Sequence, residues 1–153
     1  MKDVLSRAAG AAFLASVAFI AGCAQVPMAD TSADAQAKTF AAPAKGKAGV
    51  YIYRKETLAS ALKMGILVDN VEIGETTTKT YVYVEVDPGV HSIKGRFENE
   101  SEVRLQAQAG KLYFIWQDVK VDSLSSVRNA LTLVDEQTGR AGVAETRRIG
   151  GGK

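Results

Sequence analysis

The sequence predicts a mainly β domain, an antiparallel sandwich with one short C-terminal helix, preceded by a signal segment and a flexible tether. Three observations carry that prediction. From Gly49 onward, short runs of aliphatic, β-branched and aromatic residues recur with turn residues between them, the pattern of a sandwich. One run, Thr80-Tyr81-Val82-Tyr83-Val84-Glu85-Val86, alternates with period two, as a strand must if one face is to be buried. It ends in Asp87-Pro88-Gly89, where proline presets φ and glycine accepts a positive φ in a tight turn.

Residues 1–22 read as a cleaved signal. Lys2 and Arg7 make a basic start, Ala8 to Ile20 is apolar and free of charge, and Ala21-Gly22 are small. The apolar run is shorter than the ~18–20 residues that a bilayer-crossing helix needs. Ile20-Ala21-Gly22-Cys23 resembles the lipobox of bacterial lipoproteins. That resemblance implies cleavage before Cys23, a diacylglyceryl thioether on its sulfur and acylation of the new N-terminus. Two or three acyl chains hold stably where one does not, at ~0.8 kcal/mol per buried CH₂. The alternative is ordinary secretion, with Gly22-Cys23-Ala24 as a small-x-small cleavage site. Ala24 is not the Asp associated with inner-membrane retention, so the expected address is the outer membrane, lipid-anchored, with the domain facing the periplasm.

Residues 23–47 read as the lipidated cysteine and its tether. The stretch is rich in Ala, Thr, Ser and Lys, contains Pro27 and Pro43, and has Phe40 as its one large apolar anchor. So little apolar surface does not offset the entropy of ordering. As a coil its ends would lie roughly 25–30 Å apart. A weak helix over Ala33 to Ala42 is the competing reading.

Residues 48–148 read as the sandwich domain. Val50 to Tyr53 is the first strand and Thr57 to Lys63 a connection. Gly65 to Val68 is the second strand, turned by Asp69-Asn70 into Val71 to Ile73. After the strand Thr80–Val86, Val90 to Phe97 runs back, and Glu98 to Glu100 turns the chain into Glu102 to Gln108. Ala109-Gly110 leads to the most apolar strand, Lys111 to Gln117, and Ala130 to Val134 is the last. Val82, Val84 and Val86 are expected to face Leu112, Phe114 and Trp116 across one core. Asp135 is placed to cap a helix reaching Arg148, with Arg147-Arg148 favourable at its C-terminal end. Gly139 and Gly142 weaken that helix, and residues 149–153 read as a disordered tail.

The order of short motifs carries a second resemblance. Tyr51-Ile52-Tyr53-Arg54, Val68-Asp69-Asn70, Ile73-Gly74-Glu75, Val86-Asp87-Pro88-Gly89-Val90-His91 and Ala107-Gln108-Ala109-Gly110-Lys111-Leu112-Tyr113 follow one another as in the domain-of-unknown-function 2846 family of bacterial lipoproteins. The chain is similar, more distantly, to the PEGA-type β-sandwich repeats of surface proteins. The match runs from about Lys47 to Val134. It implies a sandwich resembling carbohydrate-binding and transthyretin-like domains, and brings no established activity.

Charge and chemistry narrow the function. The 153 residues carry a net charge of +2; without residues 1–22, 17 basic residues stand against 16 acidic ones, or +1. That balance gives no case for nucleic acid, whose binding leans on many phosphate contacts. Cys23 is the only cysteine, so no disulfide forms within the chain. His91 is the only histidine, expected to brace a neighbouring strand or loop. A zinc site generally needs three or four ligands, so no metal or cofactor is expected. Glu98, Glu100 and Glu102 lie beside Arg96 and Arg104, as on a solvated hairpin. Asp118, Asp122 and Ser123 have oxygen ligands but nothing to fix their geometry. No nucleophile or phosphate-loop motif occurs, so the protein is expected not to be an enzyme. Tyr51, Tyr53, Tyr81 and Tyr83 are the remaining feature. Each pair shares one strand face, opposite the valines in the second pair. They offer either an exposed ligand face for a glycan such as peptidoglycan or a protein partner, or a layer packed beneath the C-terminal helix or a loop. Burial is the more ordinary arrangement. The partners expected are the membrane, through lipid on Cys23, and an envelope protein or glycan.

Overall fold

The computed structural model describes residues 26–121 and 126–150. The lipobox Ile20, Ala21, Gly22 and Cys23, together with Asp122 and Ser123, lies outside these described residues.

Two sheets pack face to face. One holds five strands in the order β8 (Val127–Val134), β7 (Leu112–Val121), β1 (Ala48–Arg54), β4 (Thr80–Val86) and β9 (Arg147–Arg148). The other holds β3 (Val71–Thr76), β2 (Met64–Val68), β5 (Gly89–Arg96) and β6 (Glu100–Ala107). The sandwich is as expected, but it is not wholly antiparallel: β1 runs parallel to β7, and β4 parallel to β9. The remaining pairs of named strands are antiparallel.

The turns follow their residues. Asp69 and Asn70, at φ +49° and +66°, make the two-residue hairpin turn that matches strand twist. Asp87-Pro88-Gly89 passes the chain from β4 in one sheet to β5 in the other. Gly89 takes φ +143°, a positive value but more extended than the roughly +80° of a type II turn.

The inner layer is aliphatic. Val50, Ile52, Val82, Val86 and Ile115 of the larger sheet meet Ile66, Val68, Ile93 and Leu105 of the smaller. Val82, Val84 and Val86 therefore face inward as expected, but they do not face β7 across the core: β7 lies in the same sheet, beyond β1, and its inward residues are Tyr113 and Ile115. Leu112, Phe114 and Trp116 lie on the outer face, with the tyrosines. The expected phase of β7 is thus corrected by one residue. Every residue of β1 is buried, because this central sheet is covered on both faces.

The stretch from Val26 to Lys47 is not the free tether that its composition suggests. Val26 is buried in the inner core, and Met28 bridges antiparallel to Ile149. A short helix, α1 (Thr31–Ala37), follows. Its anchors are few but specific: Asp34 accepts the Arg148 backbone N–H at 2.9 Å, Tyr51 donates to the Ala37 carbonyl at 2.7 Å, and Phe40 packs on the aromatic layer. At the other terminus Asp135 caps α2 (Glu136–Ala144) by accepting from Thr138 N–H at 2.9 Å. The helix stops before Arg147-Arg148, which pair with Thr80 and Tyr81 as β9. Ile149 is likewise ordered and buried, so the expected tail does not begin there.

Candidate functional site

The tyrosine layer was the strongest sequence candidate for a binding face. The β1–β4 register sets Tyr51 opposite Tyr83 and Tyr53 opposite Tyr81, which brings all four onto the outer face. Phe114 stacks on Tyr51 with ring centres 5.1 Å apart, and Phe40 meets both rings edge-on. Tyr51, Tyr53 and Tyr81 are each no more than 2% exposed. They do not form an open platform: α1, Phe40 and α2 lie over them, and burying these rings provides the second core.

Their chemistry agrees with that role. Burial pushes the Tyr53 hydroxyl up to about 12, helped by Glu56. Burial also raises Tyr51, Tyr81 and Tyr83, with Asp34 adding to Tyr81 and Glu85 to Tyr83. None moves toward neutrality, where a general acid or base works best. Only Tyr83 is half-buried. Its hydroxyl donates to Glu85 at 2.9 Å, and the Arg148 guanidinium lies 5.4 Å from its ring centre. A cleft of about 230 Å³ remains there, lined by Tyr51, Tyr83, Glu85 and Arg148 with Gln36 and Ala37.

The other candidates are held apart. His91 is braced at both ring nitrogens: Nδ1 lies 2.7 Å from an Asp69 carboxylate oxygen and Nε2 2.7 Å from the Asp87 carbonyl. Those hydrogen bonds, Asp69's first, raise its pKa against a smaller effect of burial. Glu100 pairs with Lys94 at 3.0 Å and Glu102 approaches Arg104 at 3.7 Å. Arg96 turns to Glu72, beside a wide groove of about 430 Å³ that also meets Lys63, Glu75, Phe97 and Glu98. Asp118 approaches Lys120 at 3.8 Å. Among the described residues no three of His, Cys, Asp and Glu converge as a metal would require, and no helix is long and apolar enough to cross a membrane.

Sequence reasoning missed Arg54. It is in phase with Val50 and Ile52, and it is fully buried. Its guanidinium donates to the carbonyls of Leu62 at 2.8 Å, Leu58 at 2.9 Å and Ala59 at 2.7 Å, so it fastens the β1–β2 connection. The only signal was a charged residue closing an otherwise apolar strand.

Residues 44–130 match the family described as "Protein of unknown function (DUF2846)", from just before β1 into β8. A protein of Haemophilus influenzae (strain ATCC 51907 / DSM 11121 / KW20 / Rd), named "Uncharacterized protein", is 33% identical over 148 residues, covering 95% of this chain and 84% of its own length. No solved structure matches the chain. With more than half of its residues inside the family match, on the sheets just described, the chain belongs to the DUF2846 family.

Proposed function

We propose that the protein is a lipid-anchored lipoprotein of a bacterial envelope, held at the outer membrane with its sandwich on the periplasmic side. It works there by binding or bracing another envelope component and catalyses no reaction. The observation that carries this reading is Ile20-Ala21-Gly22-Cys23 behind a basic and then apolar leader. Ala24 supports the outer-membrane address. The engagement of His91 at both ring nitrogens supports a structural role for the one histidine. The burial of Tyr51, Tyr53 and Tyr81 weighs against a glycan platform built on the four tyrosines.

The test is palmitate labelling with intact mass on the protein from cells, beside Cys23→Ala. The wild type is expected in the membrane fraction, heavier by a diacylglyceryl and an acyl group. The variant is expected unlabelled and released. Full membrane retention of Cys23→Ala would overturn the anchor. Cross-linking in intact cells then separates a protein partner from a glycan.

A further inference from the structure

The register at Met28 fixes the direction of the chain before it. β9 is parallel to β4, and Met28 is antiparallel to Ile149. Followed backward from Met28 to Val26, the backbone therefore moves as β4 does from Thr80 to Val86. Val26 belongs to the inner core, together with Val82 and Val86 of β4 and Ile149. Three peptide units join Cys23 to Val26, and even fully extended they span at most about 11 Å. A lipid on Cys23 is thus leashed to the end of the sandwich where β4 stops.

Four turns lie at that end, beside the junction of β8 and α2 at Asp135. Asp87-Pro88 leads into β5, and Asp69-Asn70 joins β2 to β3; His91 ties the two turns together. Ala44 to Lys47 leads into β1, and Gln108 to Lys111 leads into β7; Gly110 N–H donates to the Lys47 carbonyl at 2.8 Å. Val90 and Val71, directly after the first two turns, are 65% and 63% exposed, the highest among the exposed large apolar residues described. Lys45 and Lys111, in the other two, are also exposed. A single exposed valine is ordinary. Here both lie at the end to which Cys23 is leashed, and Lys45 and Lys111 lie in the other two turns of the same end.

We propose that this end is a lipid-facing surface. With Cys23 acylated, the sandwich docks end-on against the headgroup layer, with Val71 and Val90 at the interface and Lys45 and Lys111 toward lipid phosphate. The opposite end, carrying Leu58, Asn99 and Val121, is left facing away for a partner. This proposal rests on the lipid anchor argued above. The test uses the acylated full-length protein in vesicles of phosphatidylethanolamine and phosphatidylglycerol. Cys23 is then blocked by lipid, so an introduced thiol is unique. An environment-sensitive fluorophore is placed at Val71→Cys or Val90→Cys, and at Leu58→Cys or Val121→Cys. A headgroup-bound quencher is expected to dim the first pair several-fold more than the second. Adding Lys45→Glu and Lys111→Glu is expected to reduce that difference. Vesicle-bound protein quenched equally at both ends overturns the docking and leaves the anchor standing. Protein of unmodified mass that stays off the vesicles overturns the anchor, and the docking with it.

Discussion

Gly139 of α2 lies against Phe114 of β7 with no room for a side chain between them, and Gly142 lies in the same way on the Tyr53 ring. The two glycines let the helix approach the outer face of the sheet closely. Replacing a mid-helix glycine by alanine ordinarily stabilises by about 1 kcal/mol. Here the added methyl overpacks the contact, at roughly 1–3 kcal/mol. Gly139→Ala is therefore expected to destabilise, by up to about 2 kcal/mol, in urea unfolding with an unchanged slope. Phe114→Leu in the same chain is not expected to recover the loss, because leucine keeps the Cβ and Cγ atoms that the added methyl meets.

Arg54 makes the second prediction. Its three carbonyl partners all lie in the β1–β2 connection, so the side chain fastens the middle of that loop to the end of β1. Burial lowers its pKa, with Glu56 opposing. Lysine keeps the charge but not the planar fork. Arg54→Lys is expected to cost roughly 1.5–3 kcal/mol, the scale of hydrogen bonds to a charged group. Limited proteolysis should then cut between Leu58 and Leu62 faster than in the wild type. An unchanged cleavage rate would mean that the guanidinium does not hold the loop.

His91 gives the protein a defined pH response. Both ring nitrogens face oxygen acceptors, and only the imidazolium donates from both. Its folded pKa is raised above 6.5. The stabilisation from this charge is therefore complete below the unfolded pKa and fades as pH rises through the folded one. Asp69 has the opposite sign. Its carboxyl is held low, first by His91 and then by Ser92 N–H, so its contribution is present above 3.8 and lost as pH falls through the folded value. A ring-proton NMR titration should place His91 above 6.5, and Asp69→Asn should bring it down. His91→Gln should flatten the stability profile between about pH 6 and 8.

The parts of the fold that were legible are those whose pattern has one reading. Thr80–Val86 has one polar-tipped and one aliphatic face, and its limits are read without error. Asp69-Asn70 and Asp135 name their own turn and cap. The phase of β7 was not legible, because Leu112-Tyr113-Phe114-Ile115-Trp116 is apolar on both faces. A strand buried on both sides offers no contrast, and the parallel pairing of Val50 with Tyr113 and Ile52 with Ile115 decides the phase. The Ala-rich stretch after Val26 was misread for another reason. It is held by backbone bonds and a few side chains, Val26 and Phe40 among them, which composition averages away. The glycines of α2 read as weakness because the rings beneath them are distant in sequence.

The corrected phase of β7 makes the last prediction. On the expected phase, Trp116 would lie in the central core and its loss would be among the worst. In the structure it is half-buried; its Nε1 donates to Glu56 at 2.6 Å, and the Lys55 ammonium lies 5.3 Å from its ring centre. Phe114, two residues earlier, is 1% exposed and touches Phe40 and Tyr51. Phe114→Ala should therefore approach the roughly 3–5 kcal/mol of a fully buried aromatic. Trp116→Ala should fall below that range, because its solvent-facing part contributes no burial and Glu56 regains water on its loss. Thermal and urea unfolding of the two variants rank them directly. If Trp116→Ala proved the more destabilising, Phe114 would not be the principal β7 anchor of the outer aromatic layer.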